Sequence, residues 1–326
     1  MKIGIIGVGN MGQRHAGLIK TNPKLELFGM TDMDTARAEK VSAAFGCRCF
    51  ASVEALLESE VEMVFITVPN TAHGPLCIQA LNAGKHVFVE KPLATNLKDA
   101  KEIKDLQAKT GLHVFVGYNR RFAPVYLEAK KTVSQPDFKP VNVNIIQNDG
   151  DMQNPAWLTD IKMTGGFMYD TTVHFLDMAR YLLGDICEIR ALGAASFYPI
   201  EDGFAVQMKF KSGAYGVISS CGYASWISPF ERVQVVGDHK SVITEELDSY
   251  RYSSALGAVV EGREFSTLEH DVKWGYAQMH DHMFNECIFG GAAPKNSVDD
   301  GYKVVELIEA CYESARADGK IIRFDV

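Results

Sequence analysis

Up to about residue 120, short apolar runs alternate with longer stretches whose apolar residues recur at helical spacing. Strands are expected near residues 2–6, 25–31, 63–68, 86–89 and 113–117. The runs at 63–68 and 86–89 are nearly continuous, as strands covered on both faces should be. Residues 11–20 read as a helix with Met11, His15, Leu18 and Ile19 inward, and residues 97–109 as another that Asn96 can cap and Gly111 can end. Alternating strands and helices imply a parallel sheet.

From about residue 140 the rhythm changes to strands joined by turns, at 141–147, 188–197, 204–210, 214–220, 232–236 and 241–246. Lys211-Ser212-Gly213 suits a hairpin turn between two of them. One helix, 171–183 closed by Gly184, interrupts the series. Helical patterns at 276–289 and 298–317 and a short strand at 321–326 end the chain. This half reads as an α+β domain with a large open, mainly antiparallel sheet carrying helices on one face. Val206, Met208 and Phe210 alternate with Ala205, Gln207 and Lys209 without settling which face is covered.

With 326 residues, 47% of them hydrophobic, the chain can form two domains with large cores. A formal charge of −8 and the lack of any basic run argue against nucleic acid or an anionic membrane as partner. The seven cysteines are scattered with no C-x-x-C pair, which suits reduced thiols and a cytoplasmic location. The N-terminus enters a strand directly and no apolar run reaches about 18 residues, so neither export nor membrane insertion is expected. His280, Asp281, His282 and Glu286 invite a metal reading, but the amphipathic helix around them reads as structural. No metal is expected.

Gly7-Val8-Gly9-Asn10-Met11-Gly12 follows the first strand and opens the first helix, and Asp32 stands twenty residues after the last glycine. Glycines at this spacing allow a tight turn, backbone approach to a pyrophosphate, and close packing of helix on strand. The diphosphate then lies over free N–H groups at the helix start. Asp32 suits the ribose hydroxyls and would repel a 2′-phosphate, so NAD is preferred. Met33 follows it, and Arg37 a turn later leaves NADP use open. The first domain, residues 1–120, thus reads as an α/β Rossmann dinucleotide-binding domain, with residues 121–326 forming the α+β domain.

Three further motifs stand in order along the chain. They are Pro69-Asn70-x-x-His73, Glu90-Lys91-Pro92, and Asp170-Thr171-Thr172-Val173-His174 behind Gly165-Gly166. With the glycine fingerprint, Asn119-Arg120-Arg121-Phe122 and the stretch 300–315, the whole chain resembles the glucose-fructose oxidoreductase, inositol dehydrogenase and rhizopine-catabolism protein family (Gfo/Idh/MocA). Lys91 also has its own rationale. It sits at the C-terminal end of a parallel strand, where ligands of open α/β sheets collect, and an ammonium there can stabilise a developing oxyanion. Asp170 and His174, four apart on one helix, share a face, and His174 can act as general base near neutral pH.

The resemblance implies an NAD(P)-dependent dehydrogenase or reductase that moves a hydride between nicotinamide and a secondary alcohol of a cyclic polyol or sugar. It implies that Lys91, Asp170 and His174 meet beside the nicotinamide as the catalytic trio. Pro69, Asn70, His73, Glu90 and Lys91 would join Asn10, Met11 and Met33 at the cofactor. Asn119, Arg120, Trp157, Asp160 and Tyr223 would touch substrate. Asp177 is expected either to brace His174 or to face solvent. Relatives often carry glycine where Thr172 stands, and different residues around Tyr223 and Trp226, which leaves the substrate open. Sugar phosphates, nucleotide sugars and dihydrodiols are alternatives, as is a dinucleotide-binding sensor without turnover; Arg120 and Arg121 could serve a phosphate. A homodimer or homotetramer is expected through the open sheet.

Overall fold

The computed structural model describes residues 1–152, 155–225 and 230–324. The chain packs as two units, residues 1–117 with 280–305, and residues 118–279 with 306–326.

The first unit holds a six-stranded parallel sheet of β1 (Lys2–Ile6), β2 (Glu26–Thr31), β3 (Arg48–Cys49), β4 (Met63–Ile66), β5 (His86–Val89) and β6 (Val114–Val116). Its order is β3-β2-β1-β4-β5-β6, which places the reversal of strand order beside β1 and β4, where open α/β sheets bind ligands. All four residues of β4 are buried, as its unbroken apolar run requires. The helix Leu97–Thr110 begins where Asn96 accepts the Asp99 amide at 2.8 Å and ends at Gly111, whose φ is +70°. β3 has only two residues and carried no pattern of its own.

Residues 280–305 complete this unit. Asn296 exchanges hydrogen bonds with the backbone of Val116 at 2.7 and 3.0 Å, so the chain lies along the edge of β6. Gly301 lets the helix Val298–Arg316 approach, because a Cβ there would lie 2.9 Å from Leu93 and Val116. Residues 276–289 are not one α-helix: the α-helix Tyr276–Asp281 passes into a π-helix, His282–Ile288.

The second unit holds a nine-stranded sheet of β7 (Pro140–Asn148), β8 (Ile186–Ala194), β9 (Gly203–Phe210), β10 (Tyr215–Cys221), β11 (Glu231–Gly237), β12 (Lys240–Glu245), β13 (Ser249–Ser253), β14 (Glu261–Glu264) and β15 (Ile322–Arg323). All its pairings are antiparallel except β7 with β10. The terminal strand is shorter than residues 321–326, of which 325–326 lie outside the described residues. Val206, Met208 and Phe210 are buried while Ala205, Gln207 and Lys209 are exposed, which settles the orientation of β9. The helices Pro124–Val133 and Val173–Leu183 pack on β12 and β7. The other face leaves Val141, Ile146, Leu192, Tyr215 and Val217 exposed. Among the described residues, no helix is long and apolar enough to cross a membrane.

Candidate active site

In the first unit the three glycines of the fingerprint have three different surroundings. Gly7 has a φ of +93°, and a Cβ on it would lie 2.8 Å from the Thr67 carbonyl oxygen. A Cβ on Gly12 would come within 2.1 Å of the Gly7 carbonyl oxygen, so this position permits only a hydrogen. A Cβ on Gly9 would meet no atom beyond its chain neighbours within 4 Å. The protein itself therefore does not demand glycine at position 9, and the open space is what an approaching diphosphate needs. The helix Asn10–Thr21 starts there with no side chain capping its first amides, which leaves those N–H groups and the positive end of the helix for an anion.

Asp32 ties this loop to β2. One oxygen accepts the Val8 amide at 2.7 Å, and the other accepts the Asp34 amide at 2.9 Å and the Arg37 guanidinium at 2.7 Å. Burial pushes its pKa up, but the Arg37 bond and the two amides outweigh that and hold the carboxyl below its usual range. Met33 beside it is fully exposed. Thr67, which the pattern of the sequence did not single out, donates from Oγ1 to the Gly7 carbonyl oxygen at 2.6 Å and so locks the turn to the end of β4. Only its place at a strand end could have signalled this.

Pro69 leads into a 3-10 turn, Asn70–Ala72, in which Asn70 is buried. His73 is wholly buried and places its ring nitrogens 2.7 Å from the Pro92 carbonyl oxygen and 2.9 Å from that of Val68. It therefore joins the loop after β4 to the turn after β5. Lys91 is half-buried at the end of β5, and its peptide bond to Pro92 is cis. Glu90 is buried, accepts the Lys91 amide at 3.2 Å, and pairs with His15 at 2.9 Å. Gly117 leaves room for that carboxylate, since a Cβ there would lie 2.8 Å from Glu90 Oε2.

In the second unit Asp170 lies in a π-helical turn, Met168–Thr172, that runs into the helix Val173–Leu183 with His174 in its first turn. No side chain caps that α-helix, so Asp170 is not its cap. Across residues 166–179 only Asp170, Thr171 and His174 are partly accessible, and every other residue is buried. A π-turn adds a residue to the helical repeat and is frequent at functional sites; here it lets two polar groups face outward from a segment that is otherwise core. Thr172 is buried, its hydroxyl 2.8 Å from that of Ser220. Asp177 does not face solvent: it is buried and grips Arg121 through both oxygens at 2.6 and 2.8 Å, because a carboxylate on an apolar helix face needs a charged or hydrogen-bonding partner.

The remaining candidates divide. Asn119 is buried and donates to the Trp274 carbonyl oxygen at 2.8 Å. Arg120 is buried and bonds Glu231 at 2.8 Å, whose other oxygen accepts the Tyr126 hydroxyl at 2.8 Å. Trp157 is partly exposed in the 3-10 turn Ala156–Thr159, Asp160 accepts the Lys162 amide at 2.9 Å, and Tyr223 is partly exposed. Trp226 lies outside the described residues. His282 bonds Glu286 at 2.7 Å and accepts the Lys295 amide at 3.0 Å. Among the described residues, no group of three or more His, Cys, Asp or Glu side chains is arranged to hold a metal ion.

The strand order, the open position at Gly9 and the anchored Asp32 define a dinucleotide-binding oxidoreductase of the Rossmann class. The chain belongs to the Gfo/Idh/MocA oxidoreductase family: residues 1–118 match its NAD-binding Rossmann fold and residues 132–322 its C-terminal alpha/beta domain. It is 29% identical over 343 residues to scyllo-inositol 2-dehydrogenase (NAD(+)) of Bacillus subtilis (strain 168), covering 100% of this chain and 97% of that protein. It is 30% identical over 257 residues to myo-inositol 2-dehydrogenase of Thermotoga maritima, covering 76% of each. A putative myo-inositol dehydrogenase from Sinorhizobium meliloti 1021 superposes with a TM-score of 0.84 at 25% identity, over 100% of both chains.

Proposed function

We propose that this chain is an inositol dehydrogenase-like enzyme, acting on a secondary alcohol of a cyclic polyol or sugar with NAD. The full-length likeness to a scyllo-inositol dehydrogenase supports the substrate class. The observation that carries the chemistry is the pair Asp170 and His174, partly accessible on a segment whose other residues, Thr171 apart, are core. Bound NAD supplies the hydride acceptor for the alcohol carbon. The amides that begin the helix Asn10–Thr21 hold the diphosphate, Asp32 takes the ribose hydroxyls, and Met33 covers the adenine. His174 accepts the hydroxyl proton, Asp170 orients the imidazole or the substrate, and Lys91 holds the oxygen as it gains charge. Trp157, Asp160 and Tyr223 are accessible to a polyol. Arg120 and Arg121 spend their charge on Glu231 and Asp177, which favours an uncharged ligand over a phosphorylated one. The exposed apolar face of the nine-stranded sheet serves as the interface of a homodimer or homotetramer.

Absorbance at the NADH band across inositols, free sugars and sugar phosphates tests the substrate class. Lys91→Ala and His174→Ala are each expected to lower kcat by about 10²–10⁴-fold, while NAD affinity measured by calorimetry stays nearly unchanged. Equal loss of turnover and of NAD binding would defeat the assignment.

A further inference from the structure

Behind Lys91 runs a buried chain of titratable groups that neither hydride transfer nor the family's catalytic trio uses. His15 is wholly buried, with Nε2 2.9 Å from Glu90 Oε1 and Nδ1 2.8 Å from His280 Nε2. The two imidazoles lie within 13° of parallel with centroids 5.1 Å apart, an arrangement that suits an in-line N–H···N bond. Phe65 and Phe88 pack around His15, with ring centroids 5.3 and 4.8 Å from it, and Phe284 lies 6.0 Å from His280. His280 Nδ1 is buried and has no hydrogen-bond partner among the described residues.

The protons of this chain can be counted. A neutral imidazole has one donor and one acceptor nitrogen. If His15 donates from Nε2 to an ionised Glu90, its Nδ1 must accept, and His280 must then donate from Nε2. That leaves a bare lone pair at His280 Nδ1, a milder cost than an orphaned N–H or a second buried cation among phenylalanines. Each contact in the chain is then made with correct polarity, and the cluster as a whole carries one negative charge, on Glu90.

The backbone of Lys91 meets that charge. Glu90 precedes it in sequence and accepts its amide at 3.2 Å. Gly117 opens the space in which the carboxylate sits, and His73 pins the turn on the far side through the Pro92 carbonyl oxygen. The groups that face Glu90 are His15 from the first helix, Lys91 beside it in the turn after β5 and His73 from the helix His73–Asn82, with His280 behind His15. We propose that His15 and His280 are positioning residues for Lys91: they hold Glu90 as a buried anion that fixes the lysine's backbone in the turn after β5. This rests on the reading of Lys91 as the group that handles the alcohol oxygen.

The test reads Lys91 directly and needs no substrate. Acylation of its amine at a single pH is followed by mass spectrometry of the digested full-length protein, with the other lysines as internal reference, for wild type, His15→Phe, His15→Gln and Glu90→Gln. His15→Phe removes the donor that holds the carboxylate, and Glu90→Gln removes its charge while keeping the shape. In both cases the turn is expected to loosen and the relative rate of Lys91 acylation to rise several-fold. His15→Gln keeps a donor aimed at Glu90 and is expected to stay nearer wild type. A relative rate unchanged in either Glu90→Gln or His15→Phe overturns the inference, as does a His15→Gln rate that follows His15→Phe. Failure of the wild type to oxidise any polyol would count against the proposed substrate alone, because the acylation rates are measured independently.

Discussion

Each unit buries a carboxylate cluster, and the two differ in what partners the negative charge. In the second unit Arg120 and Tyr126 both meet Glu231, and Arg121 meets Asp177, with all five side chains buried. In the first unit Glu90 meets His15 and, through it, His280. A guanidinium keeps its charge at any ordinary pH, so the arginine cluster is a fixed frame. A neutral imidazole donates from one nitrogen and accepts at the other, so the histidine cluster holds its anion without a cation of its own. Burial, with Glu231 adding to it, pushes the Tyr126 phenol well above its usual range and keeps it a donor. Burial also pushes the Glu90 carboxyl up, but the His15 hydrogen bond together with the attraction of His15, Lys91 and His73 outweighs it, and the net shift is downward. Burial is thus offset by a cation in one unit and by neutral donors in the other.

The contrast is sharpest where a cation is removed outright. Arg121→Ala leaves Asp177 buried without its guanidinium and is expected to cost about 3–5 kcal/mol in urea unfolding; a loss below about 1 kcal/mol would show that the cluster is no frame. Tyr126→Phe removes one donor from Glu231 while Arg120 remains, with an expected cost of about 1.5–3 kcal/mol by the same measurement. The smallest effect belongs to the titratable cluster. Burial, helped by His15, holds the His280 pKa well below its ordinary value. Unfolded His280 gains a proton as pH falls through about 6.5, while the folded ring resists it. Its contribution is therefore complete above that pH and is lost as pH falls, with a slope of at most about 1.4 kcal/mol per pH unit. His280→Phe should flatten that part of the stability curve between about pH 6.5 and pH 5. An unchanged slope would place the acid sensitivity elsewhere.

Much of this was legible along the chain because it depends on local spacing. The unbroken apolar run of β4, the Asn96 cap with Gly111 behind it, and the glycine fingerprint each follow from neighbours within a few residues. Asp32 was legible as well, since it needs only a strand end at the right distance from the glycines. The π-turn at Met168–Thr172 was not, because its sequence satisfies an α-helix equally well and only packing selects the extra residue.

Sequence alone determined which chemistry is present: a diphosphate loop, a lysine at a strand end, and an aspartate and histidine one turn apart. Tertiary structure decided which charges stay available. Arg120 and Arg121 read as free cations until Glu231 and Asp177, 111 and 56 residues away, are seen to neutralise them. His15 read as an inward residue of the first helix and His280 as part of a structural helix until the fold brings them, 265 positions apart, together behind Glu90. The physical reason is that a buried charge must find its partner wherever the fold supplies one, and spacing along the chain holds no record of that choice.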